Sequence, residues 1–95
     1  MIPFEWDDSK AESNVQKHGV SFAEAATVFA DPLAAIFSDP DHSDEDLREI
    51  IVGYSEENKL LIVSFAERNE IIRIISARKT TKRERKIHED NSMGT

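Results

Sequence analysis

The chain has 95 residues, 39% hydrophobic and 33% charged, a balance that predicts a folded globular unit and excludes a disordered chain. With no cysteine, disulfide scaffolds, thiol catalysis and cysteine-bearing zinc sites are excluded. The formal net charge is −7, yet half of all Lys and Arg fall within Arg78–Lys86, where the chain turns locally basic.

In chain order, Ile2–Trp6 is short, apolar and interrupted by Pro3, which predicts an edge strand or the start of one. Asp7, Asp8 and Ser9 offer cap oxygens to a first helix over Lys10–His18, with Gly19 as its left-handed terminator. Ala11 and Val15 are its narrow apolar stripe. Ser21 and Glu24 have capping-box spacing and open a second helix over Phe22–Ala30, which Asp31-Pro32 ends. Leu33–Phe37 reads as a strand, and residues 38–46 as an acidic loop dense in turn formers. Three more strands are predicted over Leu47–Tyr54, Leu60–Ala66 and Ile71–Ala77, linked by turns at Ser55–Lys59 and Glu67–Glu70. Links this short favour an antiparallel meander. Thr81 and Glu84 form a second box opening a C-terminal helix, and residues 91–95 read as a frayed tail.

The predicted order is therefore β-α-α-β-β-β-β-α in a single domain over residues 1–95, an α+β fold with helices packed on one antiparallel sheet. Ile71–Ala77 is apolar on both faces and is expected to be the central strand. Ideal alternation sets Arg73 with Ile71 and Ile75, and Arg78 with Ile72 and Ile74. Each arginine then needs a carboxylate, a phosphate or a path to solvent.

No spacing suggests a metal site or a cofactor; His18, His42 and His88 are scattered, and no glycine-rich phosphate loop occurs. There is no apolar run of membrane-spanning length and no signal-peptide pattern, so a cytoplasmic protein is expected. A polar set suited to metal-free acid–base work remains: Lys17 and His18 at a helix C-terminus, with Tyr54, Glu67, Arg68, Arg73 and Arg78 on or beside the sheet. Cleavage of RNA by its own 2′-hydroxyl needs only a base, an acid and cations around the phosphorane. The basic stretch Arg78–Lys86 fits either a solvated helix or a surface for a phosphate backbone or an acidic protein.

The strings Phe4-Glu5-Trp6-Asp7, Lys17-His18-Gly19-Val20-Ser21-Phe22, Ala25-Ala26-Thr27-Val28-Phe29, Asp39-Pro40-Asp41-His42-Ser43 and Arg73-Ile74-Ile75-Ser76-Ala77-Arg78-Lys79 resemble the BrnT-type toxins over residues 4–90. His88 stands where that pattern has an aromatic residue, usually tyrosine, before the glutamate. The resemblance implies a RelE-like fold and a ribonuclease toxin of a type II toxin–antitoxin operon. It further implies neutralisation by a DNA-binding antitoxin, BrnA, in a 2:2 heterotetramer that reaches operator DNA through the antitoxin.

On this reading Arg73 and Arg78 hold the scissile phosphate, Lys17 or His18 supplies a second cation or the acid, and Glu67 is the base. Arg68, Lys79, Lys82, Arg83 and Tyr54 are expected RNA contacts, and no metal or other cofactor is expected. Lys79, Lys82, Arg83 and Lys86, at helical spacing, are the face an acidic or amphipathic antitoxin segment would cover. The acidity of residues 1–77, with 16 acidic and 6 basic side chains, keeps a second class open: a catalytically weak homologue that acts as a corepressor with its antitoxin.

Overall fold

The computed structural model of the chain describes residues 3–39 and 48–93. Helix α1 (Asp8–His18) opens where the Asp7 carboxylate accepts from the Lys10 N–H at 3.0 Å and closes at Gly19, whose φ of 69° needs no Cβ. Its buried stripe differs from the predicted one. Ala11 packs on the core, but Val15 is 48% exposed and Asn14 is buried. Asn14 faces inward because its amide answers three backbone groups, two on β5 and one in the link after α1. Nδ2 donates to the carbonyls of Val20 and Ala77 at 2.9 and 2.8 Å, and Oδ1 accepts from the Ala77 N–H at 3.1 Å.

Helix α2 (Phe22–Thr27) tightens into a 3-10 turn over Val28–Ala30, so the predicted second helix is present with its last turn overwound. Ser21 caps it by accepting from the Glu24 N–H at 3.0 Å. The other half of that box is not made: the buried Glu24 carboxylate accepts instead from the Ser55 hydroxyl at 2.7 Å, with the Lys59 ammonium at 3.9 Å. These bonds tie α2 to the link between the third and fourth strands.

Five strands form one sheet: β1 (Phe4–Glu5), β2 (Ala35–Ser38), β3 (Arg48–Tyr54), β4 (Leu60–Arg68) and β5 (Ile71–Lys79). The spatial order is β1-β5-β4-β3-β2, with β1 parallel to β5 and the remaining neighbours antiparallel. The α+β class, the meander and the element order agree with the sequence reading. The middle strand, however, is β4 and not β5, which lies between β4 and the two-residue edge strand β1.

The predicted turn Glu67–Glu70 shrinks to Asn69-Glu70, both at positive φ (51° and 67°), because Glu67 and Arg68 stay paired with Ile72 and Ile71. Helix α3 runs Lys82–Met93 and takes up Asn91–Met93 of the expected tail; Gly94 and Thr95 lie outside the described residues. Most of the expected acidic loop, residues 40–46 with His42, also lies outside them, as does Leu47 of the predicted strand.

Helices α1 and α2 cover one face of the sheet. Ile51, Leu61, Val63, Phe65, Ile72 and Ile74 meet Val20, Phe22, Ala25 and Val28 there, each at most 6% exposed. Phe4, Phe29 and Phe65 run edge to face across this core at centroid distances of 5.2 and 4.9 Å. Gly53 is required on this side, because a Cβ there would stand 2.8 Å from the Ala34 Cβ.

One irregularity changes the strand arithmetic. Ser64 pairs with Ser76 and Phe65 with Ile74, so Ile75 is an extra residue in β5, a β-bulge. Beyond it the alternation is reversed. Arg73 pairs with Ala66 and Arg78 with Ile62, so both arginines lie on the face that α1 and α2 leave open, where ideal alternation would separate them.

Replacing Asn14 with Ala strands three buried backbone groups and is expected to cost about 3 kcal/mol, lowering the melting midpoint by more than about 10 °C in calorimetry. Glu70→Gly should act oppositely. It relieves a positive φ in a two-residue hairpin and is expected to raise stability by about 0.5–1 kcal/mol, read as a rise of a few degrees in the same scan.

Candidate functional site

The open face carries two kinds of surface. Near the β4–β5 turn, the outward positions of the strands gather arginines: Arg48 begins β3 opposite Ala66, Arg68 ends β4, and Arg73 stands on β5. Lys10, from the first turn of α1, and Glu5, from β1, complete a pocket of about 350 Å³ floored by Ala66, Ile71 and Ile75. Glu5 is the sole carboxylate among the described residues lining it, and its Oε2 accepts from Arg73 Nη1 at 2.6 Å. Lys10 and Arg48 have no ion pair among the described residues. Among the described residues four cations and one carboxylate thus line the pocket, Lys10 on α1 and the others on β strands.

The other end of the open face is held by α3. Arg78 donates through Nη1 and Nη2 to the two carboxylate oxygens of Glu84, at 2.8 and 2.9 Å. Glu84 is also the reciprocal half of a complete capping box: it accepts from the Thr81 N–H at 2.8 Å, and the Thr81 hydroxyl accepts from the Glu84 N–H at 3.1 Å. The Arg78 hydrogen bonds first and the Thr81 N–H second hold the Glu84 carboxyl at a pKa of about 2. The same contact raises Arg78. Farther along α3, the buried His88 meets the Tyr54 ring edge to face at 6.3 Å. Between α3 and β2 runs an apolar groove of about 510 Å³, lined by Leu33, Phe37, Val52, Ile62 and Ile87, with Leu33 67% exposed.

The structure brings some of the expected residues together and separates others. Arg68 and Arg73 share the cationic pocket. Arg78 is on the same face but is committed to Glu84. Lys17 and His18 are exposed at the far end of α1, about 10 Å along the helix from Lys10. Glu67 has the buried Ile72 as its register partner, which puts it on the helix-covered side at the strand's end. Tyr54 packs against His88 and lies close enough to Arg85 to raise that guanidinium, although Glu89 raises it more. Arg83 is exposed on α3. Lys79 ends β5 and does not belong to α3, so the expected helical face Lys79–Lys82–Arg83–Lys86 is broken between its first two members. Sequence reading passed over Glu5, Lys10 and Arg48. The alternation around Arg48 could have flagged it, whereas the positions of Glu5 and Lys10 depend on how β1 and α1 dock.

Among the described residues no three His, Asp or Glu side chains gather as a metal site would need, and no helix is long and apolar enough to cross a membrane. These features define a small α+β protein with an acidic total charge and a cationic pocket on an open sheet. A family model described as the ribonuclease toxin BrnT of type II toxin–antitoxin systems matches residues 6–84, and the chain belongs to that family. Its fold is similar to that of the Brucella abortus ribonuclease toxin BrnT, seen in a 1.1 Å crystal structure. The TM-score is 0.68 at 22% identity, over 86% of this chain and all of that one. Comparison with curated proteins gives no match.

The depressed Glu84 pKa has a defined pH signature. A carboxylate held below its usual value of 4.5 adds stability that is complete above that pH and is lost as pH falls towards about 2. Glu84→Gln is therefore expected to lower the melting midpoint at neutral pH, by no more than the ~1 kcal/mol of a half-exposed pair. The difference from wild type should narrow between pH 4.5 and about 2, followed by calorimetry across that range.

Proposed function

We propose that this chain is a metal-independent endoribonuclease toxin whose reaction takes place in the pocket of Glu5, Lys10, Arg48, Arg68 and Arg73. The observation that carries this reading is that, among the described residues, four cations and one carboxylate line a pocket on an open face of an otherwise acidic protein. A scissile phosphate in the pocket would be held by Arg48 and Arg73, whose guanidinium groups offer paired donors and stay charged as the phosphorane gains charge. Glu5, beside Arg73, takes the proton of the 2′-hydroxyl. The 2′-oxygen then bonds to phosphorus, the P–O5′ bond breaks, and the Lys10 ammonium returns a proton to the leaving 5′-oxygen. The products are a 2′,3′-cyclic phosphate and a 5′-hydroxyl.

The protein would act in the cytoplasm as one RelE-like domain, with a cognate antitoxin as its partner in a 2:2 complex that contacts operator DNA through the antitoxin. Exposed Lys82, Arg83 and Lys86 on α3, beside the exposed Ile87, support an acidic and amphipathic covering segment. Arg78, anchored to Glu84, acts in this reading by holding α3 at the rim of the face.

Cleavage of a single-stranded RNA tests the assignment. Glu5→Gln is expected to slow cleavage by about 10²–10⁴-fold while RNA still binds. Arg48→Ala should weaken both binding and rate, and EDTA should leave the wild-type rate unchanged. Full cleavage by both variants would overturn this placement of the site. Induction of the chain alone in a bacterium should arrest growth; unimpaired growth with folded protein would instead support the corepressor reading.

A further inference from the structure

A second cationic pocket lies at the opposite end of β4, where the β3–β4 link, the end of β5 and the start of α3 converge. It measures about 310 Å³ and is lined by Lys59, Lys79, Lys82 and Arg85 with Asn58 and Thr80. No carboxylate lines it among the described residues. Of the 12 Lys and Arg in the chain, all within the described residues, this pocket takes four and the Arg48 pocket another four.

The four cations come from three separate elements that the fold fixes together. The Thr80 N–H donates to the Leu60 carbonyl at 3.2 Å, the Thr81–Glu84 box sets the first turn of α3, and Arg78 clamps Glu84. Lys59 stands 3.9 Å from Glu24 and 3.8 Å from Glu57, and Arg85 pairs with Glu89 at 2.8 Å. Lys79 and Lys82 have no carboxylate partner among the described residues. Like charges lining one pocket repel one another, which an anion seated among them would relieve.

We propose that Lys59, Lys79, Lys82 and Arg85 form a phosphate subsite that holds the RNA backbone away from the bond that is cut. The inference rests on the RNA-cleaving reading given above. From Leu60 beside this pocket to Arg68 beside the other, β4 spans about 26 Å, so one strand of several nucleotides reaches both. A protein segment is the poorer occupant. Interface cores are apolar, and the exposed apolar side chains near α3 line the groove with Leu33, Phe37 and Ile87, not this pocket. The subsite supplies affinity and register without sequence readout, since a backbone phosphate is common to all four nucleotides.

The test is binding of a 2′-O-methyl RNA of about ten nucleotides, which cannot be cleaved, measured by fluorescence anisotropy against salt concentration. The Lys79→Ala/Lys82→Ala variant is expected to make the slope of log affinity against log salt less steep by about 1.4, the effect of two phosphate contacts on a single strand. It should also erase the advantage of the long RNA over a dinucleotide. Lys86→Ala, the same charge loss on α3 outside the pocket, should leave the slope as in wild type. Lys79→Arg/Lys82→Arg should restore it. An unchanged slope in the double alanine variant, with Arg48→Ala still weakening binding, would overturn the subsite and leave the cleavage site standing. Wild-type protein that binds no RNA would overturn both. Unchanged RNA binding combined with weakened antitoxin binding would assign the pocket to the protein partner instead.

Discussion

The arrangement of this molecule depends on one extra residue, Ile75, in the strand that carries the arginines. A β-strand turns successive side chains to opposite faces, so two arginines five positions apart belong on opposite sides. The bulge opposite Ser64 and Phe65 resets that parity. Ile72, Ile74 and Ala77 all reach the core, at spacings of two and then three, while Arg73 and Arg78 both reach the open face. Without the reset, one guanidinium would turn to the helix-covered, largely apolar side of the sheet, at a cost of several kcal/mol unless paired there. Arg73 can then meet Glu5 at one end of the face, and Arg78 can fasten α3 at the other.

Net charge misleads for such a protein. The chain is acidic overall, yet its cations are concentrated where backbone geometry puts them side by side. At physiological salt the Debye length is about 8 Å, so a phosphate seated in either pocket feels the nearby guanidinium and ammonium groups far more than carboxylates on distant surfaces. The acidic remainder would disfavour loose association with polyanions.

Polar groups, two of them buried, supply the remaining precision. Asn14 joins α1 to β5, Glu24 joins α2 to Ser55, and Glu84 joins α3 to β5, each through hydrogen bonds that a simple apolar contact could not orient. Among the described residues no buried side-chain nitrogen or oxygen lacks a partner. Each helix is therefore fixed in register as well as in position. This brings Lys10 to the Arg48 pocket and Lys82 and Arg85 to the second one.

Element type and order were legible in the residues because they rest on local chemistry. Cap oxygens at Asp7, Ser21 and Thr81, the glycine at position 19, the break at Asp31-Pro32 and the alternating apolar runs all act within a few residues of themselves. Of the three outcomes expected for Arg73 and Arg78, a carboxylate, a phosphate or a path to solvent, both have carboxylate partners. Partner identity was not legible: Glu5 lies 68 positions from Arg73, and only strand pairing brings them together. Nor was the buried stripe of α1, where Asn14 displaces Val15 because Ala77 of β5 offers two backbone groups and Val20 a third at that point. The bulge at Ile75 carries no local mark, since it is the pairing with β4 that makes one residue surplus. Composition and spacing determined the elements and the need for counter-charges; the register between distant strands decided which side chains share a face, because a shift of one residue moves every later side chain to the other side of the sheet.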